Sequence, residues 1–146
     1  MEKSIKELQN CLDTVQAYFN STGENDLLAK PNPNKWSKKE ILGHLIDSGV
    51  NNLQRFTEIQ FKDKPYHYSE YQQNDLVLAN QYQKEETKEL LAFWVSLNKR
   101  IISIMKNQTE ETLSYEIVKE NKHFNLEFLM KDYVEHMKHH INQIIT

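Results

Sequence analysis

Residues 126–145 read LEFLMKDYVEHMKHHINQII. At about 100° of turn per residue, Leu126, Met130, Tyr133, Val134, Met137, Ile141 and Ile144 fall on one stripe, which predicts an amphipathic helix from Leu126 to about Ile145. Asn125, just ahead of it, can cap the free N–H groups of its first turn. The same spacing recurs three times upstream. Ile5, Leu8, Leu12, Val15 and Phe19 mark a first helix from about Ser4 to Phe19. Ser37-Lys38-Lys39-Glu40 reads as a capping box, opening a second helix that carries Ile41, Leu42, Leu45, Ile46, Leu53, Phe56 and Ile59. Leu90, Leu91, Trp94, Leu97, Ile101, Ile104 and Met105 mark a third, over roughly Glu86 to Asn107. Four long amphipathic helices with few β-signals predict an all-α fold, a four-helix bundle forming a single domain over residues 1–146.

Between these helices the reading is coarser. Pro65 and the aromatics Tyr66, Tyr68 and Tyr71 make Phe61 to Gln83 a long ordered loop with room for a helical turn, and such loops are often functional. Tyr115-Glu116-Ile117-Val118 can be extended. Gly43 and Gly49 fall inside the second helix, where each costs roughly 1 kcal/mol relative to Ala. Gly49 lies on the apolar stripe; close helix approach is the natural explanation, with a chance surface glycine as the alternative for Gly43.

Composition narrows the function. Hydrophobic residues at 38% and charged residues at 27% give a globular mixture. The net charge is −3 and no basic block stands out, which argues against a nucleic-acid partner. No apolar run approaches the ~20 residues that span a bilayer, and residues 1–6 have no apolar signal core. Cys11 is the only cysteine, so no internal disulfide can form, and a cytoplasmic location is the expectation.

Of six histidines, three lie in the run His136-Met137-Lys138-His139-His140. His136 and His140 are four apart, so they share one helix face a turn apart, where two imidazoles can bind one metal ion. His140 sits on the edge of the apolar stripe and His136 beside it, while His139 points to the polar side. His44 flanks the stripe of the second helix, next to Ser48 and Asn51. Spacing alone leaves a solvated or hydrogen-bonded pair, and a satisfied core histidine, as open readings.

Residues 35–48, KWSKKEILGHLIDS, resemble the first motif of the DinB/YfiT-like superfamily, in which a Trp-Ser entry caps a helix bearing a metal-binding His. Residues 136–144, HMKHHINQI, are similar to its second motif, a His-x-x-x-His pair ending in Gln-Ile. The resemblance covers nearly the whole chain. It implies an up-down-down-up bundle, with His44, His136 and His140 as ligands of one divalent metal ion, zinc or nickel foremost. It also implies a homodimer, and a metal-dependent enzyme of thiol S-transferase or hydrolase type acting on a small-molecule substrate, with a low-molecular-weight thiol as cosubstrate.

Three neutral imidazoles leave at least one coordination position open, which suits catalysis better than stapling. Met137 stands where the metalloprotease motif places its general-base Glu, so that class is excluded and the base is unassigned. Asp47, three residues after His44, either orients that ring or a water or is a polar surface residue. Tyr66, Tyr68 and Tyr71 either line a pocket mouth or pack on the bundle, and Trp36 and Trp94 read as core. The alternative function is a non-enzymatic metal-binding or stress-related bundle with a structural site. Since imidazole must be neutral to coordinate, metal binding should weaken as pH falls below roughly 6.5.

Overall fold

The computed structural model describes residues 1–146. Its four long helices are α1 (Glu2–Ser21), α3 (Lys38–Glu58), α5 (Thr87–Lys106) and α7 (Leu126–Ile145). Short helices α2 (Glu24–Leu28), α4 (Gln73–Asn80) and α6 (Glu110–Leu113) lie in the connections, with a 3-10 turn at Tyr82–Lys84. Three short strands, β1 (Tyr66–His67), β2 (Glu116–Lys119) and β3 (Lys122–Asn125), form one small sheet in that order.

Each long helix packs on two others: α1 on α5 and α7, and α3 on α5 and α7. The bundle is thus all-α, with α1 diagonal to α3 and α5 diagonal to α7. Its sense is up-down-down-up. The charge of the N-terminal amine acts on Glu127 at the start of α7, and Glu7 pairs with Lys138, so α1 and α7 run parallel. Tyr82 meets Gly43 and Leu97 meets Gly49, so α3 and α5 also run parallel. Parallel neighbours need a long crossover, which residues 59–86 supply.

The predicted caps form. Ser37 Oγ accepts from the Glu40 backbone N–H at 3.0 Å while Glu40 Oε2 accepts from the Ser37 N–H at 2.8 Å. Asn125 Oδ1 accepts from the Phe128 N–H at 2.9 Å. Apolar stripes from all four helices converge on a core that includes Leu8, Leu12, Leu45, Phe56, Trp94, Ile101, Met130 and Ile144.

The crossover carries the helical turn its sequence allows and more: α4 and the 3-10 turn wrap the outer side of α3, so every residue from Ile41 to Gly49 is buried. Gly43 is therefore no surface glycine, because the Tyr82 ring lies against its α-carbon. The extended segment near Ile117 becomes β2, which pairs parallel with β1 through Tyr66↔Ile117 and antiparallel with β3, the strand leading into α7. No helix is long and apolar enough to cross a membrane.

Candidate metal centre

His44, in the second turn of α3, and His136 and His140, in the last turns of α7, meet at one point between those antiparallel helices. Their Nε2 atoms form a nearly equilateral triangle: 3.2 Å from His44 to each of the other two, and 3.1 Å between His136 and His140. A proton shared by two of these nitrogens leaves the third lone pair unanswered, whereas one cation satisfies all three. With bonds of about 2.0–2.1 Å, tetrahedral ligand nitrogens lie roughly 3.3 Å apart, so the spacing fits a divalent metal ion.

Burial keeps the rings neutral. Desolvation, followed by the charges of His140 and His136, pushes His44 from 6.5 down to about 3. Desolvation, followed by His140 and His139, lowers His136 to about 4. His140 is also lowered, chiefly by burial. The ring lone pairs therefore stay free of protons at pH values below the 6.5 expected of a free imidazole.

Each ring is held in its own way. His140 Nδ1 lies 2.9 Å from Gln143 Oε1; a proton on Nδ1, donated to that oxygen, leaves the Nε2 lone pair facing the centre. The Gln143 amide in turn reaches His139 Nε2 at 3.3 Å, so exposed His139 stands outside the triangle. His44 Nδ1 is buried with no partner in the chain; its ring is fixed instead by Trp36, 4.8 Å away between centroids. Trp36 is thus half-buried beside the site rather than in the core, whereas Trp94 is fully buried as expected.

Asp47 does neither of the things expected of it. It is buried, and its Oδ1 accepts from the Tyr82 hydroxyl at 2.6 Å and from the Asn80 amide at 2.9 Å, tying the crossover to α3. His67 and His123 lie exposed on the small sheet. Cys11 is buried within the core, where desolvation pushes its thiol up to about 11, too high for a nucleophile at neutral pH.

Two cavities flank the centre. One, of about 620 Å³, runs between α3 and α7 under the 68–75 segment and is lined by Ser48, Asn52, Arg55, Tyr68, Tyr71, Asp132 and His136, among others. The other, of about 530 Å³, is lined by Trp36, Lys35, Ile41, His140 and Gln143, among others. Gln73 and Asn74 of α4 border both. Of the three tyrosines, Tyr68 and Tyr71 face the first cavity, whereas Tyr66 is buried and donates its hydroxyl to Glu58 Oε2 at 2.8 Å. Arg55 and Asp132 line the site but were missed by sequence reasoning, which met Gln143 only as part of the second motif and gave it no role; for Asp132, its position at i−4 from His136 offered a signal.

A four-helix bundle with a three-His centre between two helices defines a class of protein with a potential open metal site. The family model of the DinB superfamily matches residues 7–144, and the chain belongs to that superfamily. Among solved structures it is similar to YfiT from Bacillus subtilis, described as a probable metal-dependent hydrolase with an unusual four-helix bundle topology. That match has a TM-score of 0.88 at 19% identity, covering 99% of this chain and 83% of that one. A DinB-like protein from Bacillus cereus aligns with a TM-score of 0.68 at 11% identity, over 99% of this chain and 88% of the other. A mycothiol-dependent maleylpyruvate isomerase aligns with a TM-score of 0.68 at 10% identity, over 96% of this chain and 59% of the isomerase. At these identities the likeness concerns the fold. No curated protein sequence matches the chain.

Proposed function

We propose that this protein is a metal-dependent transferase that joins a small thiol to a small electrophile, with His44, His136 and His140 as the metal ligands. The observation that carries this reading is the pair of cavities flanking the histidine cluster, one lined by His136 and the other by His140. Two compartments suit two organic reactants better than one reactant and water. A divalent ion with an open position supplies Lewis acidity, which favours the thiolate form of a thiol near neutral pH. The chain's own part is to keep three rings neutral and aimed, through burial, Trp36 and Gln143. The likeness to a mycothiol-dependent isomerase supports thiol use.

A specific observation favours hydrolysis as the second reading. Asp132 lies one turn before His136 on α7, lines the larger cavity and makes no hydrogen bond or ion pair within the chain, so it could take a proton from water. The two readings separate in one assay. Zinc- or nickel-loaded protein should accelerate conjugation of N-acetylcysteine to monochlorobimane, and a chelated sample should not. Equal rates with and without metal, both in conjugation and in hydrolysis of p-nitrophenyl acetate, would sink both readings; metal-dependent hydrolysis of that ester with no thiol conjugation would favour the second.

The working unit is proposed to be a homodimer, supported by the exposed apolar side chains Phe61, Leu78, Phe93 and Phe128. Light scattering that returned the 17.4 kDa of one chain at micromolar concentration would overturn it.

A further inference from the structure

Arg55 is a buried cation without an acid. Only 9% of its surface is exposed, and none of the chain's ion pairs includes it. One Nη2–H donates to the Ser69 carbonyl at 3.0 Å, and the guanidinium lies over the Tyr68 ring at 4.0 Å, with Tyr71 at 5.3 Å. These contacts fix its plane but neutralise nothing. A guanidinium has five N–H donors, and a buried charge is normally met by an opposite one. Arg55 lines the same cavity as His136.

Its place on α3 is informative. Arg55 lies eleven residues beyond His44, about three full turns, so both project from nearly the same face with their α-carbons roughly 16 Å apart. Ser48 and Asn52 line the cavity between them. A small molecule lying along this face would have one end at the imidazoles and the other at the guanidinium.

We propose that Arg55 is a specificity residue that binds a single carboxylate group of the substrate, at the end of the cavity remote from the three histidines. This rests on the reading that the cavity receives the substrate. Arg presents paired N–H groups that match a carboxylate. The charge of the group follows from the other lining residues. Asp75 and Asp132 line the same cavity, and Glu70 is already paired with Lys119, so the lining repels a dianion about twice as strongly as a monoanion.

The chain has only two arginines, and Arg100 is exposed on α5. The Arg Nε–Hε region of a 1H–15N correlation spectrum therefore holds two signals, which Arg100→Lys assigns without disturbing the site. Titrating the protein with butyrate should shift the Arg55 signal saturably and leave Arg100 in place. Butyramide should bind at least ten-fold more weakly, as should phosphate at pH 7.5, and Arg55→Lys should weaken butyrate about ten-fold while keeping the native spectrum. An Arg55 signal that does not move, moves with butyramide as well, or prefers phosphate would overturn the proposal. None of these readouts needs a metal. Failure of the metal reading would appear separately, as metal-free protein by mass spectrometry with the butyrate result unchanged.

Discussion

Gly43 is where the bundle has no space for even one methyl group. A Cβ built there would fall 2.5 Å from Cε2 of Tyr82 and closer still to Cδ2 and Cγ, inside the thickness of the ring. In an exposed helix, Gly→Ala stabilises by about 1 kcal/mol. Here the ring must move, and overpacking of this kind costs about 1–3 kcal/mol. Moving it also strains the 2.6 Å bond from the Tyr82 hydroxyl to buried Asp47, and a hydrogen bond to a charged group contributes about 1.5–3 kcal/mol. The balance for Gly43→Ala is a loss of roughly 2–4 kcal/mol. Gly49→Ala is the control: its Cβ would meet the end of the Leu97 side chain at 2.6 Å, which can rotate away, so the net change should stay within about 1 kcal/mol. Urea unfolding followed by circular dichroism measures both; with slopes of about 1–3 kcal/mol/M, the Gly43→Ala midpoint should fall by about 1 M or more. The decisive arm is Tyr82→Ala, which removes the obstacle. In that background Gly43→Ala should become neutral or stabilising. If it costs as much without Tyr82 as with it, the packing argument is wrong.

Four further outcomes follow from the centre. His44→Ala, His136→Ala and His140→Ala should each abolish stoichiometric metal binding, with His139→Ala retaining it; mass spectrometry of the untagged variants decides, and a full site in His136→Ala would break the ligand assignment. Gln143→Ala frees His140 Nδ1 and should weaken metal affinity about 10–100-fold, as measured by competition with a chromogenic chelator. In metal-free protein, His44 and His136 should still be neutral at pH 5, seen as imidazole 15N shifts that do not titrate near 6.5. Because their folded values lie below the ordinary 6.5, the stability tied to their neutral forms is intact above 6.5 and declines as pH falls from there toward 4 and 3, so the urea midpoint should drop between pH 7 and 5.

The long helices were legible because their apolar residues recur with helical period and Ser37 and Asn125 announce their starts. His136 and His140 were legible for the same reason, since four-residue spacing fixes their common face. His44 was legible as a member of the cluster only through the family motif, since its own stripe leaves it at the edge of an apolar face. The surroundings of Gly43 and Asp47 were not legible, because their burial depends on α4 and Tyr82 folding back from some forty residues away. The pairing of Tyr66 with Ile117 joins segments some fifty residues apart, and nothing local in either encodes it. Arg55 escaped notice because a single arginine in an amphipathic helix looks like a solvated charge until the 68–75 segment covers it.

The diagonal placement of α1 against α3 and of α5 against α7 has a consequence for how the chain assembles. His44 and His136 stand 92 residues apart in sequence, and the triangle of nitrogens exists only after the last helix has docked. Closing so long a loop is entropically costly, and the contact comes late in any order of assembly that starts from local structure. A cation seated there would act as a clasp on the final helix and stabilise the docked state by mass action. Without it, the last turns of α7 are the natural place for the molecule to begin opening, so hydrogen exchange in that segment would report the metal available to the protein as much as the strength of its core.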